Sequence, residues 1–337
     1  MAGPFHAPTA DIRRAVRACL AECEAGDLVL VALSGGAYSM ALSAAVGAEA
    51  LALGVRAGAV VVDHGLQADS ADVARAAATR ATGVGLDPVS VVRVSVEAGG
   101  QGLEAAARSA RYAALSATAA RLGARMVLLG HTLDDQAEQV LLGLARGSGA
   151  RSLAGMPAAR DIFRRPLLAI DRGATRSMCE AANLRWWDDP MNDDPAYLRV
   201  RARRALADLE SDLGPGIRSA LARTAAQLRE DADALDALAD GAFSRVVVYH
   251  GRPDHHERPQ LEVEALAELP RAVRTRVWRR LLVAAGAPAG QVSARHTDAC
   301  DSLLTDWHGQ GPIHVPGDLR VTRTGREVTI GRADGDR

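Results

Sequence analysis

The sequence predicts an α/β protein with a doubly wound parallel sheet, followed by a helical linker and a smaller α+β C-terminal domain. Short apolar runs alternate with longer helical patterns over roughly the first 140 residues, which is typical of strand–helix–strand units. These apolar runs are continuous rather than alternating, as in strands that are buried on both faces. A length of 337 residues exceeds one ordinary domain, so a second domain is expected.

The predicted elements of the sheet follow one another in a regular order. Strands are predicted at residues 28–33, 58–63, 89–96 and 125–130, and helices at 10–25, from Ser39 onward, at 69–82 and at 101–122. Ligands of a doubly wound sheet bind outside the carboxyl ends of its strands. We therefore expect the loop after the first strand, the pair Asp63 and His64, and His131 to lie along one edge.

The chain divides at the Gly-Pro-Gly stretch 214–216, which interrupts the helical pattern. Residues 1–213 are predicted to form the sheet domain, 214–241 the helical linker and 242–337 the C-terminal domain. Within that last domain the patterns predict a strand at 243–250, a polar loop at 251–260, helices at 270–286 and 293–306, and short strands over 313–330.

The composition excludes several classes of protein. Apolar residues make up 48% of the chain, but no uninterrupted apolar stretch is long enough to cross a membrane, and the N-terminus lacks a signal-peptide pattern. All 40 residues counted as Lys+Arg are arginine, which excludes Schiff-base chemistry and the phosphate loop GxxxxGK[ST]. Four cysteines do not suggest a disulfide framework. We expect a cytoplasmic protein without a redox cofactor, and the sequence leaves open whether it forms a homodimer.

The first candidate for a ligand site is the loop Ser34-Gly35-Gly36-Ala37-Tyr38-Ser39. It lies between a predicted buried strand and a predicted helix, where backbone N–H groups of the first helical turn can bind a phosphate. An ordinary tight turn between a strand and a helix uses glycine for the same steric reasons. The loop alone therefore leaves both interpretations open.

A second candidate is a charged face on the helix predicted at 101–122. Glu104, Arg108 and Arg111 are spaced so that they share this face. An exposed ladder of salt bridges is the plainer interpretation. A cationic face above the phosphate loop is the functional one.

A third candidate is the segment from His131 to Glu138, which follows a predicted strand and opens a helix. Asp134, Asp135 and Glu138 are spaced so that they cluster near one face. Thr132 and Asp135 fit a capping box, and acidic residues are favourable in a first helical turn anyway. Three acids beside a histidine exceed what capping requires, so we expect them to hold Mg²⁺ or to receive a cationic substrate.

Arginines accumulate in two further segments. In the first, Arg199, Arg201, Arg203 and Arg204 follow Trp186, Trp187 and Tyr197; in the second, Arg276, Arg279 and Arg280 project from one side of a predicted helix. Such arginines suit contacts with RNA phosphates and bases, although a solvated helix face is a common alternative. The acidic and histidine-rich stretch 254–257 is a weak metal candidate, because it lacks ligand spacing.

Taken in order, these motifs resemble the tRNA(Ile)-lysidine synthase family of the ATP pyrophosphatase (PP-loop) superfamily. The motifs are SGGxxS, VDHGL, LEAAARSARY, HTLDDQAEQ followed by RGSG, RRPLL, and WxDPxN followed by the arginine-rich run. The resemblance covers about residues 28–205. The C-terminal domain is compatible with it but less diagnostic.

The resemblance implies an adenine-nucleotide α-hydrolase-like fold and a reaction in two steps. ATP first adenylylates O2 of the wobble cytidine, position 34, in the isoleucine tRNA with a CAU anticodon, and pyrophosphate is released. The amine of L-lysine then attacks C2 and displaces AMP, which forms lysidine. ATP and Mg²⁺ are the implied cofactors, and the C-terminal domain would bind tRNA.

Matching positions imply roles for individual residues. ATP would be held by Ser34, Gly35, Gly36, Ala37, Tyr38, Ser39, Asp63, His64 and His131. Arg108 and Arg111 would act in catalysis by stabilising charge on the transferring phosphate. Asp135 and Glu138 would also be catalytic, by binding metal or the lysine ammonium, and Asp134 and Asp135 would bind Mg²⁺. The tRNA would be contacted by Arg199, Arg201, Arg203, Arg276 and Arg279.

Three positions depart from the family pattern. Gln139 replaces a threonine and Val200 replaces an asparagine, and neither need touch the chemistry. Tyr38 replaces an aspartate that would be expected to coordinate Mg²⁺ on ATP. Because tyrosine is neutral and much larger, we predict severely reduced adenylylation, through a lost metal contact or an obstructed pocket.

Two other functions agree with parts of the sequence. A tRNA 2-thiocytidine synthetase shares the loop, but that family uses paired cysteines around an iron–sulfur cluster and this sequence has no CxxC. A non-catalytic tRNA-binding protein would explain Tyr38. Such a protein would, however, be expected to lose the carboxylate cluster and the arginine face as well.

Overall fold

The structure is a computed structural model that describes residues 7–65, 67, 69–96, 102–147, 149–250 and 258–332. The chain divides into two compact units, Met1–Arg229 and Glu230–Arg337. The division falls inside a long helix, whereas the sequence predicts separate parts ending at residues 213 and 241. Those predicted boundaries stay a prediction.

The first unit is built on a six-stranded sheet in the order β3-β2-β1-β4-β6-β5. Its strands are β1 Leu28–Leu33, β2 Arg56–Asp63, β3 Val89–Arg93, β4 Ala124–Leu129, β5 Ala159–Arg160 and β6 Phe163–Arg164. Neighbouring strands run parallel except for β5, which is antiparallel to β6. The central strand β1 is buried at all of its positions, as its continuous apolar run predicts. The predicted doubly wound sheet is confirmed.

Helices cover both faces of this sheet. They are α1 Ala7–Leu20, α2 Ala37–Leu53, α3 Ser70–Gly83, α4 Leu103–Leu122, α5 Leu133–Ala145, α6 Ala150–Leu153, α7 Arg172–Ala181, α8 Leu198–Leu213 and α9 Ile217–Val246, with a 3₁₀ turn at Pro190–Asp193. One core cluster unites β1 with α1, α2, α3 and α7, and a second unites the sheet with α4. Among the bounds that differ from prediction, α1 ends at Leu20, β3 ends at Arg93, and α2 already begins at Ala37.

In its described residues, the second unit contains the end of α9, a five-stranded antiparallel sheet in the order β7-β8-β11-β10-β9, and three further helices. The strands are β7 Val247–His250, β8 Arg258–Glu262, β9 Ile313–Val315, β10 Leu319–Thr324 and β11 Glu327–Arg332; the helices are α10 Val263–Ala267, α11 Arg271–Ala284 and α12 Ala294–Thr305. Trp278 is completely buried in the core of this unit. The predicted smaller α+β domain is therefore also confirmed.

One prediction in this region is wrong. Residues 243–246 were expected to open a strand, but α9 continues to Val246 and only 247–250 are extended. The physical reason is burial at helical spacing, because Ala239, Ala242 and Val246 face the core together. The predicted polar loop 251–260 lies largely outside the described residues, and β8 already begins at Arg258. Among the helices of the described chain, none has the length and apolar character needed to cross a membrane.

A buried carboxylate joins α1 to α2 in the first unit. The side chain of Glu49 is completely buried and accepts hydrogen bonds from Nε of Arg13 at 2.5 Å and of Arg17 at 2.6 Å. Burial alone would raise the pKa of Glu49, but the two guanidinium groups outweigh it and hold that pKa below its usual value. The ionised carboxylate therefore stabilises the fold.

We predict that Glu49→Gln lowers the free energy of unfolding at neutral pH by about 2–4 kcal/mol, because two arginines lose a buried ionic partner. Since the folded pKa of Glu49 is depressed, its contribution is present above the pKa of the unfolded chain and is lost as the pH falls through the folded pKa. The difference between the two proteins should therefore shrink on acidification. Denaturant unfolding at a series of pH values measures it, with the exposed Asp11→Asn as the control, and a pH-independent difference would contradict the argument.

Candidate active site

The loop Ser34–Ser39 forms a compact turn between β1 and α2. Gly35 has a φ of +84°, and a Cβ at this position would lie 3.3 Å from that of Ala77, so the turn requires glycine. The Ser39 hydroxyl accepts from the backbone N–H of Ser34 at 3.3 Å and donates to the Gly36 carbonyl at 3.0 Å. Gly36 caps α2, whose first N–H groups face the turn. The loop thus has the strand–turn–helix geometry of an anion site.

A cavity of about 170 Å³ opens beside this loop at the carboxyl edge of the sheet. Its polar lining comes from Ser34, Asp63, His64, Gln67, Ser70, Arg111 and Asp189. Its apolar lining includes Val60, Val73, Leu115, Trp187 and Met191. A cavity with a few polar groups and apolar walls suits a nucleoside. We call this space the nucleotide cavity.

The predicted pair at the end of β2 lines this cavity. Asp63 is 5% exposed and accepts from the backbone N–H of Gly65 at 2.9 Å. Burial would raise the pKa of Asp63, but the bonds from Gly65 and Ser70 and the charge of Arg93 lower it overall. Burial and the nearby Arg111 lower the pKa of His64. The pair therefore presents a carboxylate and a neutral imidazole to the cavity.

A second cavity, also of about 170 Å³, adjoins the first and shares Arg111 and His64 with it. Its remaining lining residues are Ala107, Arg108, Tyr112, His131 and Arg199. The sequence assigns these side chains to three different roles, and the fold brings them together. None of the described residues that line this space is acidic. We call it the cationic cavity.

The acidic cluster lies at the start of α5. Thr132 and Asp135 form the predicted capping box, in which Asp135 Oδ2 accepts from the Thr132 N–H at 2.8 Å. Glu138 is 2% exposed, and its Oε1 accepts from Arg172 at 3.1 Å and from Arg203 at 2.9 Å. Its other oxygen, Oε2, is buried and has no hydrogen-bond partner in the structure. Glu138 is therefore the member of the cluster with an acceptor to offer to a cationic ligand.

Both carboxylate oxygens of Asp134 have partners within the protein. Its Oδ2 accepts from the backbone N–H of Arg172 at 2.8 Å, and its Oδ1 lies 3.5 Å from the guanidinium of Arg218. Asp135 is likewise engaged in the capping box. These oxygens already accept from protein donors, which argues against direct contact with Mg²⁺, and the assignment of Mg²⁺ to Asp134 and Asp135 stays a prediction. Among the described residues, no group of three His, Cys, Asp or Glu side chains is placed to hold a metal.

Tyr38 points at this cluster of acids and arginines. The guanidinium carbon of Arg172 lies 5.1 Å from the centre of the Tyr38 ring, within cation–π range. Burial raises the pKa of the Tyr38 phenol against the charges of Arg172, Arg176 and Arg203, so the side chain is neutral at pH 7. The fifth position of the loop thus carries a neutral ring where a carboxylate would meet Arg172 directly.

The predicted tRNA-binding arginines divide into separate groups. On α8, Arg199 lines the cationic cavity, Arg203 holds Glu138, and Arg201 donates to the carbonyl of Pro195 at 3.0 Å. In the second unit, Arg276 donates to Asp236 at 2.9 Å and Arg279 to the Ala289 carbonyl at 2.6 Å. Those last two guanidinium groups are occupied within their own unit, which favours a structural role over phosphate contact.

Sequence reasoning missed Arg172, Gln67 and Asp189 as site residues, and it named Trp187 only as a candidate for RNA contact. Gln67 donates to Asp189 at 3.1 Å, and the backbone N–H of Trp187 donates to the Gly35 carbonyl at 2.9 Å, so the segment 187–191 lies against the loop. A signal for Arg172 existed in the stretch RRPLLAIDRG, where Asp171 caps α7 and sets the arginine at the helix start. The metal candidate at 254–257 and Ser148 of the RGSG motif lie outside the described residues.

Comparisons with known proteins identify the two domains and the family of the chain. The family model for the PP-loop domain matches residues 8–210, and the model for the TilS substrate binding domain matches residues 261–325. The chain is 52% identical to the tRNA(Ile)-lysidine synthase of Thermobifida fusca over 98% of this chain and 99% of the relative. It is 53% identical to the synthase of Streptomyces coelicolor over 90% of this chain and 85% of the relative.

The fold is shared more widely. The U34-tRNA thiolase NcsA from Methanococcus maripaludis, solved with its [4Fe-4S] cluster, superposes with a TM-score of 0.55 at 18% identity, over 66% of this chain and 80% of that one. The sheet, the glycine turn and the cavity beside it define a PP-loop ATP-binding domain. With the second matched domain and the curated relatives, the chain belongs to the tRNA(Ile)-lysidine synthase family.

We predict that Asp134→Asn lowers the melting temperature by about 2–6 °C, because the amide NH₂ cannot accept from Arg218 or Arg172 as the carboxylate does. The Mg²⁺ concentration that half-saturates ATP binding should stay unchanged. Calorimetric titration of ATP at several Mg²⁺ concentrations measures this, with the exposed Asp72→Asn as the control. An unchanged melting temperature together with a raised Mg²⁺ requirement would instead assign Asp134 to the metal.

Proposed function

We propose that this protein ligates L-lysine to C2 of the wobble cytidine of a CAU-anticodon isoleucine tRNA, with ATP converted to AMP and pyrophosphate. The names of the curated relatives and the two matched domains support this reaction. The observation that carries it on this chain is the pair of adjoining cavities that share Arg111 and His64. A reaction between a nucleotide and an RNA needs two such neighbouring sites.

In the first step, cytidine O2 attacks the α-phosphorus of ATP, and the electron pair of the breaking P–O bond leaves with pyrophosphate. The loop Ser34–Ser39 would hold the phosphates through its backbone N–H groups. Arg111 lies at the junction of the two cavities, so its guanidinium would lie near the α-phosphorus. There it would stabilise the negative charge on the phosphate oxygens in the transition state. Arg108, one helical turn away, lines the cationic cavity but not the nucleotide cavity among the described residues.

In the second step, the lysine ε-amine attacks C2 of the activated cytidine, and the C2–O bond breaks with its electron pair leaving on AMP. Glu138 Oε2, buried and without a partner, would accept a hydrogen bond from the lysine ammonium and orient it. Arg172 and Arg203 hold its other oxygen and so fix the orientation of this carboxylate. The amine must lose a proton before it attacks, since only its neutral form carries a lone pair.

RNA contacts would come from the α8 side of the cavities. Arg199 lines the cationic cavity, and Arg201 is exposed on the same helix. The charge and fixed geometry of the guanidinium group suit it to RNA phosphates. The match of residues 261–325 to a substrate binding domain supports a further tRNA contact on the second unit.

One observation favours a second candidate, a tRNA-binding homologue with impaired catalysis. Tyr38 places a neutral ring at the loop position that faces Arg172. The remainder of the site is intact, however, since Glu138 keeps its two arginines and Arg111 lines both cavities. We therefore give the ligase first place.

Lysidine formation is the direct test. Incubation of the full chain with ATP, L-lysine and the CAU transcript, followed by nucleoside analysis, should yield lysidine and AMP in equal amounts. A transcript with uridine at the wobble position is the matched control and should yield neither. Tight tRNA binding without any lysidine, even at high enzyme concentration, would favour the non-catalytic homologue.

We predict that Tyr38→Asp raises the rate of ATP–pyrophosphate exchange with CAU tRNA at least about tenfold, because a carboxylate replaces the ring and one well-placed charge is worth this much in a transition state. Tyr38→Phe keeps the ring over Arg172 and should behave like the unaltered chain. Equal exchange rates for the unaltered chain and Tyr38→Asp would refute the prediction that Tyr38 impairs adenylylation.

A further inference from the structure

We propose that the cationic cavity binds a backbone phosphodiester of the tRNA, the one that flanks the cytidine to be modified. This inference rests on the proposed function and adds the part of the substrate that occupies this space. Three observations support it: the charge of the lining, the position of the cavity beside the nucleotide cavity, and the contacts that already engage the ring of Tyr112.

The charge of the lining selects an anion. Arg108, Arg111 and Arg199 contribute guanidinium groups, and His64 and His131 contribute imidazoles, while none of the described lining residues is acidic. The side chain of Arg165 is buried behind the cavity, where it donates to the Tyr112 hydroxyl at 3.2 Å. Cations grouped in this way repel one another, and a bound anion offsets that repulsion.

The imidazoles provide donors without adding to that repulsion. Burial lowers the pKa of His131 to about 3, and the charges of Arg111, Arg165 and Arg199 act in the same direction against that of Asp135. The Nδ1 atoms of His131 and His64 are buried and have no hydrogen-bond partner in the structure. A neutral imidazole that carries its proton on such a nitrogen can donate it to a phosphate oxygen.

The position of the cavity separates this anion from ATP. The nucleotide cavity contains the edge of the glycine loop through Ser34, whereas no residue of that loop lines the cationic cavity among the described residues. Arg111 is common to both. When cytidine O2 reaches the α-phosphorus, the phosphodiester of the same nucleotide comes close to a second negative charge, and the reaction then needs a second group of cations.

The aromatic ring argues against a base in this space. The guanidinium carbon of Arg108 lies 5.0 Å from the centre of the Tyr112 ring, and Phe163 packs edge-on to that ring with 4.9 Å between centroids. The Tyr112 hydroxyl is also engaged by Arg165. A cytosine that entered the cavity would have to displace Arg108 before it could stack, whereas a phosphate could bind Arg108 where it lies.

A neutral linkage in the RNA tests the inference on the full, unaltered chain. CAU tRNA is prepared with a single methylphosphonate on the 5′ side of cytidine 34, on its 3′ side, or at a stem linkage far from the anticodon. Dissociation constants are measured at one fixed salt concentration. One of the two flanking substitutions should weaken binding about tenfold, the loss expected for one charge-assisted contact, and the stem substitution should not.

Arg199→Gln then identifies the cavity as the site of that contact. The variant should bind unmodified tRNA about tenfold more weakly than the unaltered chain. The methylphosphonate that weakens binding to the unaltered chain should not weaken binding to the variant any further, because both changes remove the same interaction. Arg204, which donates to the Asp193 carbonyl on the same helix, supplies the matched control. In the Arg204→Gln variant, the same methylphosphonate should still weaken tRNA binding about tenfold.

The outcomes separate this inference from the proposed function. If neither flanking linkage matters more than the stem linkage, the cavity does not hold a phosphodiester, whatever the lysidine assay gives. If Arg199→Gln weakens ATP binding and leaves the linkage effect intact, the cavity belongs to the phosphates of ATP and the inference is overturned. These measurements use affinity alone, so a slow first step caused by Tyr38 does not affect them.

Discussion

The buried carboxylate of Glu138 imposes a constraint on much of the first unit. A carboxylate removed from water must be compensated, and here Arg172 from α7 and Arg203 from α8 both donate to one of its oxygens. That requirement brings three helices together at the carboxyl edge of the sheet. Arg172 also donates its backbone N–H to Asp134 and covers Tyr38, so one residue connects the acid cluster to the phosphate loop.

The same constraint explains why the fold tolerates Tyr38, the residue that we predict to impair adenylylation. Its ring gains a cation–π contact with Arg172, and burial keeps its phenol neutral. An aspartate at this position would instead add a negative charge between Arg172 and the phosphates of ATP. We therefore predict that packing favours the ring at this position and that adenylylation favours the carboxylate.

The sequence predicts the features that depend on neighbouring residues. It does not predict the contacts that long side chains make between distant parts of the chain. The bounds of β1 and the capping box of Thr132 and Asp135 follow from neighbouring residues, and both are found in the structure. The partners of Arg172 lie 34–38 residues away along the chain, and no periodicity reveals such a pairing. The arginines of α8 looked alike in sequence, but their place around the helix gives Arg199 a cavity and Arg203 a carboxylate.

The use of arginine in place of lysine has a physical consequence in the cationic cavity. Burial lowers the pKa of Arg111, and Arg108 and Arg199 lower it further, as expected where like charges are gathered away from water. Arginine begins from so high a pKa that it stays charged under these conditions, whereas a buried lysine readily gives up its proton. Guanidinium groups therefore suit a site that, as we propose, presents several positive charges to an RNA and to ATP at once. It also avoids placing a protein amine near the activated cytidine, where a second nucleophile would compete with the substrate lysine.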